Sequence, residues 1–166
     1  NGYPGLFASL ATGNAIVGPC GSEQKYDYTC IGDSVNLAAR LESANKFFGT
    51  QILVAGGAAE QAGDRFLFRS LGGVRVKGKA NAVPVFELIG RRGSVTAEQI
   101  AYADQFAHAV KLFQIRDWRG AMLGFEACMK LRPTDQAAAE YYDAAVGYFA
   151  RPPGPEWTGA IELTEK

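Results

Sequence analysis

Histidine is almost missing from this 166-residue chain. His108 stands alone, which excludes a multi-histidine metal site and any mechanism built on a pair of imidazoles. Cysteine is scarce as well. Cys20, Cys30 and Cys128 are an odd, unclustered set with no C-x-x-C spacing, which argues against a disulfide framework and a cysteine zinc site and fits a reducing compartment. There is no excess of either charge, with 17 Lys plus Arg against 17 Asp plus Glu and no basic run. Such a chain lacks the field that nonspecific binding to nucleic acid or anionic membrane requires, so no nucleic-acid partner is expected. No apolar stretch reaches the ~18 residues of a membrane span, and no basic-then-apolar signal opens the chain. With no membrane segment in the sequence, the expected location is cytoplasmic, either free or as the cytoplasmic part of a membrane-anchored protein. The opening Asn1-Gly2-Tyr3-Pro4-Gly5, running straight into an apolar segment, reads as a piece cut from something longer.

What is present is globular in composition: 48% hydrophobic and 20% charged residues, with room for one ordinary domain or two small ones. Two textures meet near residue 92. Before it the chain is Gly-rich, with short apolar runs that predict strands over Leu6–Leu10, Ala15–Val17, Tyr26–Ile31, Gln51–Val54, Phe66–Leu71, Val74–Val76 and Val83–Leu88. Gly72-Gly73 and Lys77-Gly78-Lys79 read as hairpin turns, Gly18 to Ser22 as a turn into the next strand, and Pro84 as an edge or strand-start residue. One strong helix interrupts these strands, with Asp33 or Ser34 as its cap and Gly49 as its stop. Leu37, Leu41, Ala44 and Phe48 make one apolar stripe on it. Beside that stripe run Asn36, Arg40, Ser43 and Phe47, with Asn36 and Arg40 one turn apart on the same face. A weaker helix is expected over Ala58–Ala62.

The segment from Asp27 to Glu42, D-Y-T-C-I-G-D-S-V-N-L-A-A-R-L-E, carries the chemistry. It is a strand, a glycine turn and a helix that presents an amide and a guanidinium together. Arginine is a planar multi-donor group suited to phosphate oxygens, and asparagine can hold a ribose. From spacing alone a second reading stands beside this one: Asn36 and Arg40 as solvated helix-surface residues, Arg40 pairing with Glu42 or Asp33.

At these residues the sequence resembles the class III nucleotide cyclases, the adenylate and guanylate cyclases. The run from Gly18 through Glu42, and the later Gly72–Leu88 stretch with Val76-Lys77-Gly78-Lys79, resemble the C-terminal half of their catalytic domain. The resemblance extends from about residue 5 to about residue 89. It implies an α/β (α+β) fold, part of a ferredoxin-like sandwich. It also implies conversion of a nucleoside triphosphate to a 3′,5′-cyclic nucleotide and pyrophosphate by in-line attack of the ribose 3′-hydroxyl, with two Mg2+ or Mn2+ ions. The arginine that stabilises developing charge matches Arg40, and the ribose-orienting asparagine matches Asn36. The purine-reading position, seven residues before the asparagine, matches Thr29. Threonine there resembles a bacterial-type subgroup of adenylate cyclases and implies ATP; animal adenylate cyclases carry aspartate and guanylate cyclases cysteine. Cys30 is one residue out of register and on the opposite strand face, so Cys30 and Cys20 read as buried small residues.

The family's metal-binding aspartates and base-reading lysine belong to the half of the domain that is not in this sequence. Asp27 and Asp33 read as a loop-edge residue and a helix cap, so no metal ligand is assigned. Because family active sites form between two cyclase domains, a second cyclase domain, as a homodimer, is the implied partner.

After residue 92 the pattern turns helical. Thr96 precedes one helix, Asp117 caps a second and Asp135 a third running through Tyr148, before Pro152-Pro153-Gly154-Pro155 ends regular structure. Residues from about Phe106 to Tyr142, with Trp118-Arg119-Gly120-Ala121, Phe125 and Leu131-Arg132-Pro133, resemble a tetratricopeptide repeat. That resemblance implies a protein partner for the helical segment. His108 reads as a packed or surface residue. The expected organisation is a cyclase half over 1–90, a linker over 91–95, the repeat-like helices over 96–150 and a Pro-rich tail over 151–166. The leading reading is a fragment of an adenylate cyclase, itself inactive for want of metal carboxylates. The rival is a noncatalytic cyclase-like module that binds a protein partner.

Overall fold

The computed structural model describes residues 7–22, 25–75 and 82–162. At its centre lie two long strands, β5 (Phe66–Arg75) and β6 (Val83–Arg91), numbered in chain order. β5 shows the two-residue period of a strand with one buried face: Leu67, Arg69 and Leu71 are buried while Phe66, Phe68 and Ser70 between them are half-buried. The full sheet has the order β1-β4-β6-β5-β7, where β1 is Ala8–Leu10, β4 is Ile52–Ala55 and β7 is Ala160–Glu162. β4, β6 and β5 pair antiparallel, while β1 joins β4 and β7 joins β5 in parallel. Pro84 is the second residue of a strand flanked on both sides, so it marks the strand start and not an edge.

Three expectations about turns and ends do not hold. Gly72-Gly73 is not a hairpin turn. It lies inside β5, where the pairing with β6 shifts register between Ser70 and Gly73. Gly72 takes φ +75°, and a Cβ there would stand 2.7 Å from the Tyr141 hydroxyl, so glycine supports a bulge beneath a tyrosine. The Lys77–Lys79 turn lies outside the described residues. Gly18–Ser22 belongs to a strand, β2 (Ile16–Ser22), paired antiparallel with β3 (Lys25–Ile31) as a separate two-stranded sheet. Regular structure also does not end at the prolines, because the tail returns as β7.

α1 (Asp33–Phe48) starts one residue earlier than a cap at Asp33 requires. Gly32 holds the N-cap position with no side-chain cap bond, and Gly49 closes the helix in the left-handed conformation, φ 64°, its N–H donating to the Asn45 carbonyl. Leu41, Ala44 and Phe48 are buried, with Leu37 packed against them. α2 (Gly56–Ala62) follows β4.

The helical part contains α3 (Ala97–Gln114), α4 (Trp118–Leu131) and α5 (Gln136–Ala150). Their caps are Thr96 in a capping box with Gln99, Asp117 accepting from the Gly120 N–H, and Asp135 accepting from the Ala138 N–H. α4 packs on both α3 and α5, and α3 packs on β5. The texture change near residue 92 is not a break in packing: Leu41, Phe48, Leu53 and Leu71 share one apolar cluster with Phe106, Phe113, Phe125 and Tyr141. Phe125 stacks on Tyr141 at 5.0 Å, and Phe113 meets Tyr141 edge-on at 5.1 Å.

Candidate functional site

Thr29, Asn36 and Arg40 are carried by one strand–turn–helix unit. Thr29 is half-buried on β3. Gly32 makes the turn, Asn36 sits on the first turn of α1, its N–H donating to the Gly32 carbonyl at 3.0 Å, and Arg40 follows one turn on. Both Asn36 and Arg40 are exposed, while Leu41 and Ala44 on the neighbouring stripe are fully buried. The sheet thus takes one face of α1 and leaves the amide and guanidinium face accessible. Gly18 lies directly across the hairpin from Thr29, and a Cβ built on it would meet nothing within 4 Å. Cross-strand partners share a face, so Gly18 places no side chain beside Thr29 on that face.

The unit is anchored from behind. Ser9 Oγ donates to the Ala38 carbonyl at 2.7 Å, and Asn45 Nδ2 donates to the Ala8 carbonyl at 2.9 Å while its Oδ1 accepts from Thr50 Oγ1 at 2.9 Å. The turn is tight: a Cβ on Gly32 would lie 2.7 Å from the Asn14 carbonyl oxygen, so only glycine fits there.

Cys30 is exposed, not buried, because β2 and β3 form their own two-stranded sheet, whose Ile16, Val17, Tyr28 and Ile31 are exposed too, Tyr28 to 78%. The side chain of Cys20 lies outside those described. His108 is on the surface of α3. The two divalent ions implied by the resemblance do not fit the residues seen here. Asp27 and Asp33 are exposed on either side of the Gly32 turn, and among the described residues no group of three His, Cys, Asp or Glu side chains comes together.

A second polar centre was not anticipated from sequence. Arg69, 4% exposed on the core face of β5, has its Nε 2.7 Å from a Glu87 carboxylate oxygen and its Nη1 against Asp135. Asp135 also accepts from the Tyr102 hydroxyl at 2.6 Å. The Arg69 guanidinium lies 4.5 Å from the Phe106 ring centre, and that of Arg132 lies 3.9 Å from the Tyr102 ring centre. Burial by itself would lower the Arg69 pKa, but Glu87 and then Asp135 outweigh it and hold the group above its ordinary value. Burial pushes the Glu87 carboxyl up, against the opposing pull of Arg69. Gly49, Arg69, Glu87, Arg132, Asp135 and Gln136 line a cleft of about 400 Å³ at the C-terminal end of α1. The available signal was the strand alternation, which places Arg69 between Leu67 and Leu71.

No protein-family model matches the chain. Adenylate cyclase 1 of Rhizobium meliloti is 42% identical over 81 residues, covering 49% of this chain and 12% of that protein. The terminal-differentiation-specific adenylate cyclase of Dictyostelium discoideum is 30% identical over 141 residues, covering 82% of this chain and 7% of that protein. The solved structure of the adenylyl cyclase CyaB from P. aeruginosa is 31% identical, over 49% of this chain and 41% of that one, with a TM-score of 0.42. The chain therefore spans only a small part of the length of these curated relatives, and their names support a cyclase-type domain.

Proposed function

We propose that this chain is the nucleotide-contacting half of an adenylate cyclase domain that converts ATP to 3′,5′-cyclic AMP and pyrophosphate. The observation that supports it best is the exposure of Asn36 and Arg40 on a helix whose neighbouring stripe is locked in the core, one glycine turn after Thr29. Asn36 is assigned to orient the ribose so that its 3′-hydroxyl lies in line with the α-phosphorus. Arg40 is assigned to the negative charge that grows on the phosphoryl oxygens as pyrophosphate separates. Thr29 is assigned to read the purine edge, with Gly18 opposite it carrying no side chain to obstruct the approach.

Divalent ions supply Lewis-acid chemistry in such a reaction. We assign the carboxylates that hold them to the half of the cyclase domain that is not in this sequence or to a second cyclase domain in a homodimer, and a second base-reading group, a lysine, to that same absent half. The exposed apolar hairpin of Ile16, Val17, Tyr28 and Ile31 is suited to such an association. We place the domain in the cytoplasm.

The test is steady-state kinetics with ATP and GTP on the full-length protein. Arg40→Ala is expected to lower kcat by about 10² to 10³ with a smaller effect on KM. Asn36→Ala lowers kcat as well, and Thr29→Ala relaxes preference for ATP with a smaller rate loss. Near-normal turnover in Arg40→Ala overturns the assignment.

A second reading is a noncatalytic module whose repeat-like helices bind a protein. It is favoured by Leu123 on α4 and Val146 and Phe149 on α5, apolar residues left exposed. Two aspartates and a lysine on strand-like segments encoded upstream favour the enzyme, and their absence favours the module.

A further inference from the structure

An α-helix leaves its last four carbonyls without intrahelical donors. At the end of α1 two of these are satisfied from far along the chain. Gln136 Nε2 donates to the Phe47 carbonyl at 3.0 Å and to the Lys46 carbonyl at 3.2 Å. Gly49 makes room for this, since a Cβ there would stand 2.8 Å from Gln136 Cβ. Gln136 is the first residue of α5, directly after Asp135, which caps α5 and is held by Arg69 and Tyr102. Phe48 and Tyr141 lie ring over ring alongside, their centres 6.3 Å apart. The C-terminal end of α1 is thus bonded to an element that is itself fixed to the sheet and to α3.

Resting on the nucleotide-site reading above, we propose that Gln136 is a positioning residue: through the Lys46 and Phe47 carbonyls it sets where α1 sits along its own axis, and hence where Asn36 and Arg40 stand. The packed face of α1, Leu41, Ala44 and Phe48, fixes depth and roll, and directional hydrogen bonds sharpen its position along the axis. The Ser9 bond holds the middle of the helix and the Asn45 side chain ties its last turn to β1, while the Gln136 pair holds the final carbonyls from the α5 side. Arg40 lies about 10 Å up the helix from that end, at 1.5 Å per residue. A helix is stiff over that length, so displacement at one end is transmitted to the other. Misplacement of a reacting group by roughly 1 Å costs on the order of 10²-fold in rate. This makes the helical segment a support for the candidate site and not an appendage to it.

Two variants separate positioning from mere stability. Gln136→Glu keeps the shape but replaces the donor with an acceptor facing two carbonyls. Gln136→Lys keeps a donor, and a cation at a helix C-terminus is favourable. In the full-length protein, Gln136→Glu is expected to lower kcat by about tenfold with KM for ATP nearly unchanged, and Gln136→Lys to stay within about twofold of wild type. Amide hydrogen exchange is expected to rise in Gln136→Glu over the last turn of α1 and the Gly49–Thr50 amides, with α3 unchanged, which shows that the variant is folded. Equal effects of the two variants, or unchanged turnover in Gln136→Glu, overturn the proposal. With Arg40→Ala inactive in parallel, that failure leaves the nucleotide-site reading standing. If Arg40→Ala retains turnover, the nucleotide-site reading has failed and the positioning role falls with it.

Discussion

The buried hydroxyl of Tyr141 on α5 donates to the carbonyl of Leu71 in the middle of β5. Gly72, the next residue, is the one whose Cβ would collide with that hydroxyl, at 2.7 Å. Tyr141→Phe leaves the Leu71 carbonyl buried without this donor, a loss of about 1–3 kcal/mol. Gly72→Ala is expected to cost more, because φ +75° disfavours any side chain and the new methyl also meets Val110 at 3.0 Å. The two changes should not be additive: removing the hydroxyl vacates the space the methyl needs. Urea unfolding of the two single variants and the double variant checks this, with the double expected to lose less than the sum.

The Arg69 cluster holds two carboxylates on one guanidinium, and they are not equivalent. Glu87 has its carboxyl raised above the ordinary 4.5 by burial, so the folded state binds its proton more tightly than the unfolded chain does. The stabilisation from that proton is fully present below 4.5 and is lost as pH rises through the folded value. Glu87→Gln mimics the protonated form. Its urea midpoint relative to wild type is therefore expected to be more favourable at pH 7.5 than at pH 5. Asp135→Asn removes a buried partner of Arg69 that is also the α5 cap, and is expected to lose on the order of 3 kcal/mol. A Glu87→Gln variant as damaging as Asp135→Asn at pH 7.5 contradicts this division of roles.

Much of the candidate site was legible in sequence because its signals are local. The spacing of Leu37, Leu41, Ala44 and Phe48 predicts the buried face of α1, and so places Asn36 and Arg40 on an accessible one. Thr96, Asp117 and Asp135 announce their helices through side chains that bond three residues on. Local signals misled where glycine was involved. Gly72-Gly73 has turn chemistry, but its reason is a tyrosine that lies far off in sequence. The strand Ala160–Glu162 is too short to announce itself, and it forms because Gly73, Val74 and Arg75 offer a parallel edge. Asp135 is legible as a cap, but its contacts with Arg69 and Tyr102 depend on chain segments 66 and 33 residues away.

With no convergent carboxylates among the described residues, this chain alone is expected to form no cyclic AMP from ATP with Mg2+ or Mn2+. Product above an Arg40→Ala control contradicts that. The uncovered apolar hairpin and the three-residue edge strand β1 predict association at high concentration. Sedimentation across a concentration series checks it, a strict monomer being the contrary result.

Gly32 joins the strand that carries Thr29 to the helix that carries Asn36 and Arg40, and its backbone is extended at φ 173°, a conformation open to any residue. What excludes a side chain is space. A Cβ would press on the Asn14 carbonyl oxygen at 2.7 Å and the Ala15 Cα at 3.1 Å, both backbone atoms. Relief must come from moving the segment before β2 away from the start of α1, and β3 moves with β2 because the two are paired along their length. Gly32→Ala is therefore expected to lose about 1–3 kcal/mol and to shift Thr29 relative to Asn36 and Arg40. Its signature in the full-length protein differs from that of any one site residue: base selectivity and turnover fall together, because the purine reader and the phosphate-side groups lose their common frame. Kinetics with ATP and GTP beside Thr29→Ala and Arg40→Ala separates these cases. A Gly32→Ala variant that loses stability but keeps both selectivity and kcat would show that the Gly32 turn does not set the site's geometry.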